Sequence, residues 1–549
     1  MEVVLLILAV LPAVAALGCV FLPHRLAGFA TVAVGTTTLV LALVLVGRVG
    51  EAASVVTVGF LRVDALSLVF VLPTAFLYAV VGLFSIGYLE DEARFAADVH
   101  GDEERAFRRY SRLFHVGFNA FAWSMLCAPM VDGLALLWIA VEITTVVSAL
   151  LVALDDTDGA TEAAWKYVLI ASCGLGIGLL ATIVMYYAGA EALGQSYDLS
   201  FDPLIRHAAE LPDTPVKLAF VLAVVGFGTK VGLVPMHTWL PDAHAEAPTP
   251  VSALLSGSLL AVSFYAILRY FQVAQISVGP AFGQHVLLVF GVASLLLASL
   301  SLLQQTDLKR LLAYSSIEHM GIIAIGVSFG APLAVAGIFL HVLAHAAAKG
   351  NAFMCAGMIV RVHRSKALAR IRGANQRLPW TGPIFLASVL ALCALPPFGI
   401  FRSEFSIVAG GVQSGRNLAA AILVVVVTIA FLGLLGAAAR LTLGGTLGAD
   451  LDAGGSERLV DTRLHMVVGV TAPGAEARGA PASGALLRDD ETNPRVEDES
   501  LRRGEPSAWT VAAPLVGLVT LVVLGIHPPA PLVDLLDTAA SQIPTGASR

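Results

Sequence analysis

The sequence predicts an all-α polytopic membrane protein with about 14 transmembrane helices, arranged as two inverted five-helix repeats with discontinuous helices 7 and 12. Of its 549 residues, 57% are hydrophobic and 13% are charged, whereas soluble proteins carry about 25% charged residues. Apolar runs of roughly 20 residues, the length that spans a bilayer, recur along nearly the whole chain. Runs 7 and 12 carry Pro235 and Pro396-Pro397 close to Lys230 and Glu404, which predicts the two discontinuous helices.

Fourteen apolar runs are predicted to span the membrane. They are residues 3–21, 27–47, 65–87, 113–130, 132–153, 165–188, 216–235, 250–270, 284–303, 311–328, 332–360, 381–410 with a break, 417–443 and 509–526. The first run has the length of a signal peptide. We interpret it as a spanning helix, because it lacks a basic start and a convincing cleavage site.

The loop charges predict the orientation of these spans, because cytoplasmic loops carry the excess of lysine and arginine. Loops after even-numbered spans hold only Arg48, Arg62, Arg206, Lys217 and Arg416. Loops after odd-numbered spans hold many more: Arg94, Arg105, Arg108, Arg109, Arg112, Lys309, Arg310, Arg361, Arg364, Lys366, Arg370, Arg372 and Arg377. We therefore expect a multi-pass protein of the plasma membrane with both termini extracytoplasmic.

The two proline-interrupted spans predict the domain organisation, because paired interrupted helices are typical of inverted repeats in transporters. Span 7 contains Pro235, and span 12 contains Leu395-Pro396-Pro397. The segment 445–508 is polar and lacks periodicity, which is typical of disorder, or it is a docking segment for a partner. The predicted units are helices 1–3 with a cytoplasmic loop (1–112), the first repeat (113–270), the second repeat (271–444), a polar cytoplasmic insertion (445–508) and the last helix with its tail (509–549).

Several classes of function are disfavoured by the composition. The cysteines lie singly and form no C-x-x-C pair that would hold an iron–sulfur cluster or zinc. We therefore expect no cofactor in this chain, and any redox chemistry belongs to a partner. The net charge of −7 gives no indication of nucleic acid. Gly174-x-Gly176-x-Gly178 lies in an apolar span, where close helix packing explains it better than nucleotide binding.

The segment Phe227–Gly257 contains ionisable residues and prolines inside an apolar region. A lysine at membrane depth costs roughly 2.5 to 3.5 kcal/mol, so Lys230 is a candidate functional residue. The four prolines break any helix that passes through, and the freed backbone must be buried in protein or line water. The segment therefore predicts a discontinuous helix beside a hydrated site.

Glu142 is the second candidate, because Asp132 is the only other charged residue within ten positions of it. A lone carboxylate in lipid takes up a proton unless a cation lies near. We expect Lys230 to be its partner, in a pair whose protonation states are coupled. The alternative is a static buried ion pair that fixes helix packing.

His341, His345 and Lys349 follow one another at intervals of four residues, which places them along one stripe of span 11. Two histidines on one stripe suit a proton relay, because histidine titrates closest to neutral pH. Zinc ligation is the competing interpretation. It is less favoured, because no carboxylate or cysteine lies within the same turn.

Further candidates lie near the second break and in two loops. Glu404 follows the break in span 12, where a half-helix end suits a protonatable carboxylate. Glu318 and His319 enter span 10 and either carry protons or form hydrogen bonds between helices. Asp242, His237 and His244 either shape the loop between spans 7 and 8 or take part in function. Together these spans predict a hydrated line of titratable groups across the middle of the bilayer.

Four motifs carry a resemblance to a known family: KVGLVPMHTWLPDAHAEAPTPVSALLSG, QTDLKRLLAYSSIEHMG, HVLAHAAAKGNAF and LPPFGIFRSEF. They resemble the antiporter-like subunits of respiratory complex I, Mrp-type sodium/proton antiporters and group 4 energy-converting hydrogenases. The resemblance covers spans 3 to 14. The YSSIEHMG and LPPFG forms are most similar to the component F type of hydrogenase 4 and formate hydrogenlyase complexes.

The resemblance implies a 14-helix core that conducts protons through groups on helices 5, 7, 8 and 12. Glu142, Lys230 and Glu404 match the family's residues on helices 5, 7 and 12. The second-half pathway residues are matched by Lys309, His341, His345 and Lys349. One departure is Ala261, which stands where many members carry a lysine on helix 8. The resulting expected proton pathway comprises Glu142, Lys230, His244, Lys309, His319, His341, His345, Lys349 and Glu404.

The expected function is that of a proton- or sodium-translocating membrane subunit in a multisubunit redox-driven complex, of the hydrogenase 4, formate hydrogenlyase or NADH-quinone oxidoreductase type. The implied partners are other membrane subunits, a peripheral redox module, the translocated ions and the lipid bilayer, with no redox catalysis in this chain. Three alternatives remain open at this point. They are an Mrp-type sodium/proton exchanger, a subunit of an inorganic-carbon uptake complex, and a non-conducting scaffold that has lost the helix 8 lysine.

Overall fold

A computed structural model of the chain describes residues 1–52, 54–97, 103–194, 197–444 and 504–544. Helices account for nearly all of these residues, which confirms the all-α fold class. Residues 445–503, most of the predicted polar insertion, lie outside the described residues.

Twenty α-helices are formed by the described residues. They are α1 (Glu2–Gly18), α2 (His24–Ala52), α3 (Ala65–Ala97), α4 (Glu103–Cys127), α5 (Leu134–Val152), α6 (Asp158–Leu193), α7 (Phe201–Arg206), α8 (Asp213–Val231), α9 (Trp239–Glu246), α10 (Thr249–Leu254), α11 (Leu260–Ser277), α12 (Pro280–Leu302), α13 (Leu308–Ser328), α14 (Pro332–His363), α15 (Ala374–Arg377), α16 (Thr381–Leu392), α17 (Gly399–Gln413), α18 (Asn417–Leu443), α19 (Ala508–Ile526) and α20 (Ala530–Ser541).

Each of the fourteen predicted spans falls on one of these helices or on a pair of them. Eleven helices of the described residues are long and apolar enough to cross a membrane by themselves. Helix α1 is slightly too short, the N-terminal part of α4 is polar, and α16 and α17 are two short pieces. The number of crossings and the inverted repeats therefore stay predictions.

One small sheet interrupts the all-helical pattern. Strands β1 (Val56–Val58) and β2 (Leu61–Val63) form an antiparallel hairpin before α3. β2 also contacts Val131 through an isolated bridge to Leu61. The sequence analysis did not predict this hairpin, because each strand has only three residues.

Both predicted helix breaks are present. Helix α8 ends at Val231, where Gly232 adopts a left-handed conformation (φ 84°) that favours glycine at a helix C-terminus. The chain resumes as α9 and then α10, which continues through a π-helical turn at Leu255–Leu259 into α11. Likewise, α16 ends at Leu392 and α17 begins at Gly399, with the proline pair between them.

The centre of the molecule is formed by α3, the continuous segment Thr249–Ser277, α13 and α14. The segment Thr249–Ser277 is buried throughout its apolar part, and the other three helices are almost as completely buried. Helices α2, α6, α12, α18 and α19 bury only about a third of their apolar residues and expose the remainder, as expected of lipid-facing helices.

Helix α6 packs closely along α8 through glycines. A methyl group added at Gly226 of α8 would meet the backbone nitrogen of Gly178 and lie 2.9 Å from the carbonyl oxygen of Gly174. Gly176, on another face of α6, has nothing within 4 Å of such a methyl group. This geometry confirms that Gly174 and Gly178 serve helix packing.

A buried ionic network lies where span 3 begins and span 8 ends, on the side predicted to be extracytoplasmic. Arg62 and Arg269 both bind Asp64, at 2.6 and 2.7 Å. Burial alone would raise the pKa of Asp64, but the charges of Arg269 and Arg62 hold the pKa of this carboxyl well below its usual range. The sequence analysis did not single out Arg269, which is 1% exposed inside span 8.

The C-terminal residues close over this network. Helix α20 packs on α2, α3 and α14, and the side-chain amide of Gln272 donates to the carbonyl of Gln542 at 2.8 Å.

Candidate functional site

Lys230 lies in the last turn of α8 and is completely buried. Its ammonium group donates to the carbonyl oxygen of Val141 at 3.3 Å and to the hydroxyl of Thr145, both on α5. The Nζ atom also lies 5.7 Å from the centre of the Tyr167 ring, within the range of a cation–π contact. A carbonyl, a hydroxyl and an aromatic face therefore replace the water shell of this cation.

Glu142 faces a different neighbour. Its Oε1 accepts a hydrogen bond from the Ser172 hydroxyl on α6 at 3.1 Å, and its Oε2 is buried with no partner among the described residues. No salt bridge within 4.0 Å joins Glu142 to Lys230 in this part of the chain, because residues 141 and 145 share the face toward α8, whereas residue 142 is turned about 100° from residue 141. The expected coupling of their protonation states stays a prediction.

Hydroxyl groups on α5 extend the polar surroundings of Lys230. Ser148, one turn beyond Thr145, lies 2.7 Å from the Tyr167 hydroxyl. The Tyr167 ring stacks on Trp239 of α9 at 4.4 Å. Sequence reasoning missed these residues, although the spacing of Thr145 and Ser148 in one apolar helix was a usable signal.

His244 and Lys309 lie near the C-terminal end of α9. His244 is fully buried against the Phe353 ring at 5.2 Å, and neither ring nitrogen has a hydrogen-bond partner in the described ranges. The Lys309 ammonium donates to the carbonyl of Ala247 at 2.9 Å, a position where a helix terminus favours a cation. Nearby, Lys366 binds both carboxylate oxygens of Glu246 at 3.0 Å.

Lys349 repeats the arrangement of Lys230 in the second half. It is completely buried on α14, and its ammonium donates to the carbonyl of Leu312 at 2.9 Å and to the hydroxyl of Ser315, both on α13. The adjacent Ser316 lies 2.7 Å from Ser256, in the π-helical turn that precedes α11. Lys230 and Lys349 are thus each bound by one carbonyl and one hydroxyl of a neighbouring helix.

Three histidines form a group between α13 and α14. Nδ1 of His319 lies 3.1 Å from Nε2 of His341, and Nδ1 of His341 lies 3.0 Å from the Ser403 hydroxyl. The His345 ring centre is 5.1 Å from that of His319. A carboxylate oxygen of Glu404, on α17, lies within 4.8 Å of a nitrogen of both His319 and His341. The structure therefore brings four predicted site residues together from three helices.

The histidine group has further polar contacts. Ser403, which lies beside Nδ1 of His341, donates its hydroxyl to the carbonyl of Ile400 at 2.8 Å. Nδ1 of His319 and Nε2 of His341 are within hydrogen-bond distance, and either ring can be the donor. Nε2 of His319 is buried with no hydrogen-bond partner in the part of the chain described. The group therefore offers one ring-to-ring contact and one unpartnered ring nitrogen.

Ala261 is buried on α11, as is expected of a residue at the centre of the fold. The nearest polar contacts that precede it lie in the π-helical turn, where Ser256 contacts Ser316 and Ser258 contacts Thr74 of α3. π-helical turns occur frequently at functional sites. The lysine that the resemblance implies on helix 8 is therefore absent, and two hydroxyl contacts lie within two turns of its position.

Asp242 and His237, which the sequence left between structure and function, differ in their surroundings. Asp242 forms ion pairs with Lys166 at 3.2 Å and with Arg310, and these tie α9 to α6 and α13. His237 lies in the break after α8, and its Nδ1 has no hydrogen-bond partner among the described residues.

Discontinuous helices with ionisable side chains buried between them define an ion-transporting class of membrane protein. Comparison with known proteins agrees. Residues 132–431 match the family described as NADH:quinone oxidoreductase/Mrp antiporter, transmembrane. The chain belongs to this family and is an antiporter-like, multi-pass membrane protein.

Individual relatives and solved structures also place the chain among antiporter-like membrane subunits. The chain is 35% identical over 370 residues to the hydrogenase-4 component F homolog of Methylacidiphilum infernorum, a match that covers 67% of this chain and 76% of the relative. It is 30% identical to hydrogenase-4 component B of Escherichia coli, of which it spans half the length. The Mrp complex from Dietzia sp. DQ12-45-1b contains a chain of the same fold (TM-score 0.75, 23% identity, covering 99% of this chain and 98% of the other). Proteins similar to this chain are thus subunits of multisubunit membrane complexes.

Proposed function

We propose that this chain is a proton-translocating membrane subunit of a redox-driven complex of the hydrogenase-4 type. The observation that carries the proposal is the series of buried ionisable side chains on α8, α9, α13 and α14. Lys230, His244, His319, His341, His345 and Lys349 are all 0% exposed. Buried ionisable groups in membrane segments mark ion pathways and proton relays. The relationship to hydrogenase-4 components B and F supports the type of complex.

The proposed path in the first half begins at Glu142 and Ser172 and passes to Lys230. Thr145 and the Tyr167–Ser148 pair extend it with exchangeable hydroxyl protons. His244 and Lys309 connect α9 to α13, and Lys349 begins the second half. From there His345, His319 and His341 lead to Glu404 through the contacts described above.

Charge coupling between the two buried lysines is the proposed driving element. Neither ammonium has a carboxylate within 4.0 Å among the described residues, so its charge is not neutralised locally. Buried charges interact over longer distances than exposed ones, because water and salt screen them less. A change of charge at one lysine therefore shifts the proton occupancy of groups further along the path.

The proposed organisation of the chain is the one expected from the sequence. Residues 113–270 and 271–444 are proposed as inverted repeats, supported by the breaks after α8 and α16. Both termini are proposed to lie outside the cytoplasm, in the plasma membrane of a bacterium. Other membrane subunits and a peripheral redox module are the proposed partners, and the redox cofactors are proposed to reside in that module.

Reconstitution of the intact complex into vesicles with a pH-sensitive dye tests the proposal. Lys230→Ala and Glu142→Gln are expected to abolish redox-driven acidification. Lys217→Ala is the matched control, because Lys217 lies on the same helix but is exposed and pairs with Asp213. Unchanged acidification in both pathway variants would overturn the mechanism.

The same vesicles separate the alternative functions. Sodium-dependent acidification without a redox substrate would assign the chain to the Mrp type of exchanger. Assembly of the complex with full electron transfer but no effect of any pathway variant would instead assign a scaffold role.

A further inference from the structure

The group formed by His319, His341 and Glu404 has the composition of a metal centre. Each of these three side chains offers one ligand atom, and the three atoms all lie within 4.8 Å of one another. They come from α13, α14 and α17. Two histidine nitrogens and one carboxylate oxygen are ligands that zinc accepts, with a water in the fourth position.

The spacing of the two histidine nitrogens fits a bound ion. Two nitrogens that each lie about 2.05 Å from a tetrahedral zinc ion are about 3.3 Å apart. Nδ1 of His319 and Nε2 of His341 are 3.1 Å apart. A carboxylate oxygen of Glu404 lies at most 4.8 Å from these nitrogens, and a side-chain rotation brings it to the ion. Its Oε1 is buried without a hydrogen-bond partner among the described residues.

A supporting hydrogen bond already orients one ligand. Nδ1 of His341 lies 3.0 Å from the Ser403 hydroxyl, which itself donates to the carbonyl of Ile400. When His341 donates to Ser403 from Nδ1, its Nε2 lone pair faces the centre of the group. Metal-ligating histidines are oriented in this way by an outer partner on the second ring nitrogen.

We propose that His319, His341 and Glu404 bind one divalent transition-metal ion of the zinc type. The ion lies between the two histidine rings, where Nδ1 of His319 and Nε2 of His341 approach each other. If the proposed proton path is correct, the bound ion blocks it at this point. The site is then an inhibitory one, because the ion occupies the contact between the two rings.

Cobalt(II) titration of the purified chain in detergent tests the binding. The expected result is one equivalent of tetrahedral cobalt with visible absorption, displaced by zinc. His341→Ala is expected to weaken binding by more than 100-fold, and Ser403→Ala by about 10- to 100-fold, because loss of an outer partner has that effect. Monodisperse elution and an unchanged Tm show that each variant is folded.

His345→Ala is the matched control, since His345 is equally buried one turn along α14 and lies outside the ligand set. It should retain full binding. Octahedral cobalt only, thiolate charge-transfer absorption from a cysteine such as the exposed Cys173, or equal losses in His341→Ala and His345→Ala would overturn the site.

The inhibitory consequence has its own experiment. Zinc added to vesicles that contain the intact complex should slow acidification in the wild type, and Ser403→Ala should need at least tenfold more zinc for the same effect. Absence of metal binding would overturn the inference whatever the pumping result. Binding without slowing would overturn the inhibitory role, whereas absence of metal-free pumping would overturn the proposed function and leave the metal site standing.

Discussion

The ammonium group of Lys230 lies 3.3 Å from the carbonyl oxygen of Val141, one residue before the carboxylate that was expected to bind it. Glu142 is held by Ser172 instead. The two ionisable groups are therefore neighbours on α5 and α8 without forming an ion pair. A proton on either one changes the electrostatic environment of the other, and no salt bridge has to be broken when a proton is gained or lost.

The contact between Lys230 and Thr145 predicts a stability effect. Thr145→Val keeps the side-chain shape but removes the hydroxyl that accepts from the ammonium, and leaving a buried donor unsatisfied costs about 1–3 kcal/mol. Thr145→Val should therefore lower the Tm measured in detergent. Lys230→Met in the same background should restore it, because replacing buried ionic partners by apolar groups is often neutral or stabilising. Additive losses in the double variant would contradict this account.

The packing of α6 on α8 predicts a second effect. Gly226→Ala forces the two helices apart, because its methyl group meets the Gly178 backbone, and such overpacking costs about 1–3 kcal/mol. The displacement also moves Lys230 relative to Thr145, so pumping should fall together with stability. Gly176→Ala is the matched control, since it faces open space. Equal behaviour of the two variants would show that this contact is not tight.

The Asp64 network predicts a dependence of stability on acid pH. The pKa of Asp64 is lowered in the folded state, so its contribution is complete above the unfolded value of about 3.9 and is lost as the pH falls through the folded value. The Tm should therefore fall on acidification below about pH 4. Asp64→Asn should remove this contribution and lower the free energy of unfolding at pH 7 by about 3–5 kcal/mol, with a lower Tm, because Arg269 loses its carboxylate partner and Arg62 keeps only Asp202.

The control for this network is Asp213→Asn, which removes an exposed pair with Lys217 and should change stability by less than about 1 kcal/mol. A Tm profile for Asp64→Asn that still parallels the wild type below pH 4 would assign the acid sensitivity to other groups.

Much of the fold was predictable because apolar runs and prolines act locally. The break after Lys230 follows from Gly232 and Pro235, and the break before Glu404 follows from the proline pair. The placement of the candidate site residues was partly predictable for the same reason. The stripe of His341, His345 and Lys349 depends on the period of one helix.

Contacts between helices were not predictable in this way. Which face of α5 meets α8 decides that Thr145, and not Glu142, binds Lys230. The zinc interpretation of His341 and His345 was disfavoured because no carboxylate lies within one turn of them. The sequence could not show that Glu404 approaches His341 from another helix. Arg269 was missed because its partner, Asp64, lies about 200 residues away in the sequence.

The most direct measurement is the number of protons translocated per electron pair by vesicles that contain the intact complex with Lys349→Met. This variant removes the second buried cation and leaves Lys230 in place. We predict that acidification per electron pair falls by at least tenfold, whereas Lys217→Met matches the wild type. A proton-to-electron ratio that is unchanged in Lys349→Met would contradict the account.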